Sequence, residues 1–322
     1  MDNDFQDNSA SWAGSEGFGG GLYIEGGNVL LQGNSLTGNA GGGFPGAPST
    51  AVGWGGAIAI SDSLVIAQDN WIVGNHATNA DASGAGGGIY SFGGTLRLVR
   101  NAIMQNRATP VALGFGGGLY LDSTIPWLDA NIILDNVAAG GANGRGGGVR
   151  LVACSPFTLT NNVIAHNIAS QYGSGVAVAA SSAGHLAHNT IAYNQDGDGV
   201  GVYVASDSQV LLDNNLIVRH TIGIVNAGAP GSSVVADYTL FEDNTTNYGA
   251  GVVSSHEVAG PAALLADYHL GSSSGAIDHA PPLSWVTWDW DGDWRPVGAW
   301  SDVGADEYAL HTVLPLVLRN AP

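Results

Sequence analysis

Gly17-Phe-Gly-Gly-Gly-Leu-Tyr-Ile24, followed by a short apolar run and then Asn34-Ser-Leu-Thr-Gly-Asn39, is the stretch whose reading decides the fold of this 322-residue chain. Its second half returns as Asn70-Trp-Ile-Val-Gly-Asn75, Asn101-Ala-Ile-Met-Gln-Asn106, Asn131-Ile-Ile-Leu-Asp-Asn136, Asn162-Val-Ile-Ala-His-Asn167 and Asn189-Thr-Ile-Ala-Tyr-Asn194. Asn215-Leu-Ile-Val-Arg-His220 is a variant, and Asn3-Asp-Phe-Gln-Asp-Asn8 stands at the start. A repeat of about 22–36 residues is the mark of a solenoid, in which each unit contacts only its neighbours.

The first apolar residue after the glycines aligns as Leu22, Ile58, Ile89, Leu119, Val149, Val176, Val202 and Ile224. From each of the first seven to the next ladder asparagine the distance is twelve or thirteen residues, whereas the gap back to the following unit shrinks from nineteen to eight. One side of every unit is constant and one loop is free to vary. That predicts a β-solenoid with three short strands per coil, read in the first unit as Leu22-Tyr-Ile24, Val29-Leu-Leu31 and Ser35-Leu-Thr37. Period two turns Leu22 and Ile24 inward and Tyr23 outward. At the usual strand spacing, about eight coils make a rod roughly 35–40 Å long. The asparagines are expected to stack as ladders at a turn, taking the left-handed conformation that asparagine tolerates.

Composition narrows the function. Fifty glycines without a Gly-X-Y period exclude collagen, and 45% hydrophobic residues exclude wholesale disorder. All the basic residues, eight in number, are arginine, and the net charge is −19. Such a field repels phosphate backbones and anionic membranes, so no nucleic-acid partner is expected. It gives no help in binding acidic polysaccharides either, unless a divalent cation intervenes. The one cysteine, Cys154, allows no internal disulfide and reads as a small buried hydrophobe. No apolar run is long enough for a membrane-spanning helix. Asn3 to Asn8 is already the second half of a repeat, which reads as a chain lacking its amino-terminal cap and export signal.

The coils are expected over residues 1–244, with Asn247 to Gly275 irregular and 245–322 forming a cap. Four of the nine tryptophans fall between Trp285 and Trp294, and a bulky aromatic cap would cover the raw end of a solenoid core.

The Gly-Gly-(Gly/Ala)-(Leu/Ile/Val) and Asn-x-(Ile/Leu)-x-x-Asn repeats over residues 3–244 resemble those of right-handed parallel β-helix proteins, in particular surface proteins with polymorphic outer-membrane-protein-type repeats. Asp267-Tyr-His-Leu270, Gly275-Ala-Ile-Asp278, Asp289-Trp-Asp-Gly-Asp-Trp-Arg-Pro296 and Asp302-Val-Gly-Ala-Asp-Glu-Tyr308 are similar to the choice-of-anchor module that closes many bacterial β-helix surface proteins. Trp290 and Trp294 stand where such relatives carry Ile and Pro, and Gly260-Pro-Ala-Ala-Leu-Leu265 departs from their Gly-Asp-Pro-x-Phe. The terminal Val313-Leu-Pro-Leu-Val-Leu-Arg319 looks like a short tail of exported proteins of this kind. The resemblance implies an all-β, right-handed parallel β-helix, exported to the extracellular space or cell surface; a monomer with a polysaccharide or cell-surface partner is expected. It implies no reaction, because the fold hosts lyases, hydrolases, adhesins and inert stalks alike.

Candidate chemistry lies on the outward positions of the first strand: Tyr23, Ala59, Tyr90, Tyr120, Arg150, Ala177 and Tyr203. Two residues on come Glu25, Ser61, Phe92, Asp122 and Val152, and the loop before the glycines adds Phe18, Trp54, Phe115, Arg145 and Tyr172. Aromatic rings among polar groups suit sugar rings, so Tyr23, Trp54, Tyr90, Phe92, Phe115, Tyr120 and Tyr203 are the ligand-binding candidates, though tyrosines also favour exposed strands for their own sake. A glycosidase needs two carboxylates a few ångströms apart, and Glu25 and Asp122 are three coils, about 14 Å, apart. A polysaccharide lyase needs a base beside a cation, and Asp122 with Arg150 is the one nearby pair. His185 and His188, three apart, show no metal spacing. Asp289, Asp291 and Asp293 around a glycine turn are the metal candidates, either for calcium or as a plain hydrogen-bonded turn. The leading reading is a non-catalytic surface protein that binds carbohydrate or protein. A carbohydrate-active enzyme and a passive stalk are the alternatives.

Overall fold

The structure, a computed structural model, describes residues 2–11, 16–43, 51–228 and 231–309, so the 313–319 tail lies outside the described residues. Each unit of the chain passes through three sheets in turn. Sheet I begins with Leu22–Glu25, Ile58–Ser61 and Ile89–Phe92, sheet II with Asn28–Gln32 and Leu64–Gln68, and sheet III with Asp4–Gln6, Ser35–Thr37 and Trp71–Val73. Among the described residues each has nine strands, all parallel and each paired with the strand one coil away. The result is a parallel β-helix about 38 Å long. No described helix is long and apolar enough to cross a membrane.

The core follows from the period-two pattern. The middle apolar residue of every Asn-x-Ile-x-x-Asn unit points inward, so that Leu36, Ile72, Ile103, Ile133, Ile164, Ile191 and Ile217 form one fully buried column. Leu119, Leu121, Leu128 and Leu159 close the core from sheets I and II. Cys154 is buried there as expected, and burial pushes its thiol up to about 11.

The three-strand expectation is incomplete. The variable stretch between the second ladder asparagine and the next first strand adds two short sheets, one of four strands from Ala40–Gly42 to Val137–Ala139 and one of five from Gly17–Phe18 to Gly144–Arg145. Glycine is required here: Gly86 has φ 65°, and a Cβ on Gly87 would meet the Gly117 carbonyl oxygen at 2.2 Å. The coils also run beyond 244. Thr246–Tyr248 joins sheet I and Val252–Ser255 joins sheet II inside the stretch expected to be irregular.

Two buried ladders run along the helix. In one, the backbone N–H and Nδ2 of Asn101 both donate to Asn131 Oδ1 at 2.9 Å, while Asn101 Nδ2 also donates to the Ala67 carbonyl. The same pattern links Asn34, Asn70, Asn101, Asn131, Asn162, Asn189 and Asn215. The second ladder joins Asn8 to Asn194 and then meets His220, which accepts from Asn194 through Nε2 and faces Asn244 Oδ1 through Nδ1. A neutral imidazole donates on one side and accepts on the other, so it can stand in for an amide. The left-handed residue is not the asparagine, as expected, but the one before it: Asp69, Arg100, Ala130, Asn161, His188 and Asn214 all have φ between 51° and 59°. That turn aims the following side chain along the helix axis.

The C-terminal segment is irregular and tryptophan-rich, as read from the sequence, but its seat differs. It packs along the flank of sheet III, where Ala262, Leu270, Ala276, Ala280 and Val303 bury Ala165, Ala192, Leu216, Val218 and Leu240. Hydrogen bonds fasten it there, from Ala305 N to Thr190 Oγ1, from Gly304 N to the Asn214 carbonyl and between His188 Nδ1 and the Asp302 carbonyl. Trp285, Trp288, Trp294 and Trp300 remain 41–61% exposed, so the tryptophans do not close the core. At its centre Arg295, fully buried, meets Glu307 at 2.8 Å and donates to the carbonyls of Asp302, Gly304 and Ala305.

Candidate functional site

Parallel in-register stacking turns sequence spacing into geometry. On sheet I, Tyr23, Ala59, Tyr90, Tyr120, Arg150, Ala177 and Tyr203 are consecutive cross-strand partners, as the constant distance to the ladder asparagines predicts. Glu25, Ser61, Phe92, Asp122 and Val152 form the next outward column. Beside them Phe18, Trp54, Ala85, Phe115 and Arg145 align in the short five-stranded sheet. Gln171, rather than Tyr172, bridges to Arg145.

The rings of these columns touch one another. Phe18 stacks on Trp54 with centroids 6.3 Å apart, Trp54 meets Tyr90 at 5.0 Å, and Tyr90 lies parallel to Tyr120 at 5.7 Å. Phe18 also packs against Tyr23, and Phe115 against Tyr120. Phe18–Trp54 and Tyr90–Tyr120 are stacked, whereas Phe18–Tyr23, Trp54–Tyr90 and Phe115–Tyr120 are tilted. Burial, with Asp122 adding to it, pushes the hydroxyls of Tyr90 and Tyr120 up to about 12, so they stay protonated and able to donate at neutral pH. Phe92 stays outside this stack, exposed on the column of Asp122.

The column opens at Ala177. There the small side chain falls between Arg150 and Tyr203, and a cavity of about 330 Å³ results, lined by Arg145, Arg150, Tyr172, Ala177, Tyr203 and Ser206 among others. Tyr172 and Tyr203 meet edge to face at 5.2 Å. Arg150 lies over Phe115 at 5.4 Å, and Arg145 lies over Tyr172 at 4.9 Å and Phe115 at 5.8 Å. Ala59 opens no such gap, because Trp54 reaches Tyr90 beside it. Of the seven ligand-binding candidates only Tyr203 lines this cavity. Tyr172, Arg145 and Ala177 complete it, and the signal for them was an alanine between Arg150 and Tyr203 in the column.

Asp122 and Arg150 are not brought together as an acid–cation pair. Arg150 sits opposite Tyr120, and Asp122 sits opposite Val152 and accepts from Ser123 Oγ at 2.9 Å and Tyr120 Oη at 3.4 Å. His185 faces Asp213 and His188 is buried against the C-terminal segment, so the two do not converge on a metal. Asp289, Asp291 and Asp293 do converge, with ligand atoms within 4.8 Å. Asp289, however, already accepts four backbone N–H groups, from Asp291, Gly292 and Asp293 on Oδ1 and from Glu307 on Oδ2. Those bonds are those of an anchored turn, and a calcium ion would have to compete with them.

A family model described as "Right handed beta helix region" matches residues 142–261, a stretch that contains the whole cavity. No curated protein matches the chain. With the parallel sheets, the match makes the fold an all-β, right-handed parallel β-helix.

Proposed function

We propose that the chain is a surface-presented, non-catalytic β-helix whose sheet I face binds carbohydrate, with the cavity at Ala177 as the principal sugar-sized subsite. The observation that carries this reading is the cavity itself, walled by two tyrosines and two guanidinium groups at the end of a run of touching aromatic rings. Concave sites with aromatic walls and a few convergent donors are how proteins hold sugar rings. The carboxylates of the face support binding over cleavage: Glu25 and Asp122 are three strands, about 14 Å, apart, beyond either glycosidase geometry. Export and display at a cell surface rest on the resemblance of the C-terminal motifs to choice-of-anchor modules.

A glycan-array screen of the purified chain, with and without calcium, tests the proposal when every hit is followed for reducing-end and unsaturated-sugar release. Binding without product, weakened at least about tenfold in Tyr172→Ala and Tyr203→Ala, is the expected outcome. Product release would overturn the non-catalytic reading. Binding that is indifferent to both substitutions would move the site elsewhere on the rod.

A further inference from the structure

We infer that the cavity at Ala177 takes an acidic sugar, whose carboxylate or sulfate oxygens are held by the guanidinium groups of Arg145 and Arg150. The inference rests on the carbohydrate-binding reading and adds the chemical class of the ligand.

Among the described arginines, Arg100, Arg219 and Arg295 have carboxylate partners at 2.8–3.2 Å. Arg145 and Arg150 have none: aromatic faces lie beneath both, and the Tyr120 hydroxyl is a hydrogen-bonding neighbour of Arg150. A ring face attracts the flat side of a guanidinium and leaves its N–H edge free. The Nε atoms of both residues are buried and have no hydrogen-bond partner. Buried donors without acceptors are costly, and two side by side in one cavity are doubly so, because the like charges also repel. Burial first, and Arg145 next among the groups that oppose its charge, hold Arg150 below the ordinary arginine value.

The neighbouring acids do not relieve the pair. Asp198 accepts from Gly173 N, Ser174 Oγ and Val200 N, and Asp122 accepts from Ser123 and Tyr120. An oxyanion entering the cavity that Arg145 and Arg150 line would neutralise their repulsion, and guanidinium edges match carboxylate and sulfate oxygens in bidentate fashion. The chain's net charge of −19 does not veto this, since salt screens charges beyond about 8 Å under physiological conditions.

The experiment is calorimetric titration of the whole chain with three sugars that differ only at C6: glucose, glucuronate and glucose 6-sulfate. The acidic sugars are expected to bind at least about tenfold more tightly than glucose, and whichever is tighter identifies carboxylate or sulfate as the group recognised. Arg145→Gln and Arg150→Gln should bring the three affinities together. Equal affinity for all three in the native chain overturns the acidic-sugar inference while leaving sugar binding standing, whereas no binding of any of them removes the carbohydrate reading with it. Inorganic sulfate bound as tightly as glucose 6-sulfate would also overturn it, because the sugar would then contribute nothing. Should the variants fail to fold, the arginine Nε–H resonances of the native chain decide the matter: two are expected to shift with glucuronate and not with glucose, and an unmoved spectrum refutes the inference.

Discussion

The coils and the C-terminal segment bury polar groups in opposite ways. Along the coils, neutral amides repeat at one position and each satisfies the next, so that Asn131 receives two bonds from Asn101 and gives two to Asn162. In the segment on the flank of sheet III the same task falls to one cation and several acids: Arg295, Glu307, Asp302, Asp306 and Asp289 are all nearly inaccessible. A ladder of amides can be extended by adding coils. A knot around one guanidinium cannot. The first spreads its dependence over many equivalent residues, and the second concentrates it in one.

The sharpest way to break this comparison is Arg295→Met. It removes four hydrogen bonds and leaves Glu307 buried without its counter-charge, which costs about 3–5 kcal/mol. Calorimetry should show the segment melting ahead of coils that stay folded, and limited proteolysis should cut first beyond residue 255. A single transition shifted as a whole would mean that the two regions are one cooperative unit.

Asn131→Ala should cost less, about 2–4 kcal/mol, because it strands the N–H and Nδ2 donors of Asn101 and the carbonyl of Leu98. In a solenoid that loss is local, so hydrogen exchange should accelerate in the two or three adjoining coils and remain slow elsewhere.

The smallest effect separates the regions by pH. Burial lowers His220 to about 4, so the native ladder holds it neutral while the unfolded chain protonates near 6.5. Stability from this residue is therefore complete above about 6.5 and is lost as pH falls through 4, by about 3 kcal/mol at most. His220→Asn restores an amide to the ladder and should flatten that acid limb in part, since burial also lowers His76 to about 4. Asp302 runs the other way. Burial raises it to about 7, so its contribution is present below the ordinary aspartate range and is lost as pH rises through 7. Thermal melts of the native chain and of His220→Asn between pH 4 and pH 8 would show the two slopes, and an unchanged acid limb in the variant would exclude His220 as a source.

Repetition made the coils legible. The twelve-to-thirteen-residue spacing from the first apolar residue after the glycines to the asparagine fixes the register of sheet I, and register fixes which outward residues neighbour one another, so the column from Tyr23 to Tyr203 could be read before any coordinates. The seat of the C-terminal segment was written more faintly. Outer positions of sheet III are polar at Asp4, Gln6, Ser35 and Thr37 but apolar at Val163, Ala165, Leu216 and Val218, which marks strands covered on both faces.

By itself the sequence determined the parallel coils, the two asparagine ladders and the order of side chains along the face, because each depends on contacts between equivalent positions one repeat apart. Tertiary structure alone decided the rest. The cavity at Ala177 depends on how one column of the repeat packs against Tyr172 and Arg145, and the knot around Arg295 joins residues that no period relates, so their distances exist only once the coils have stacked and the chain has folded back along their flank.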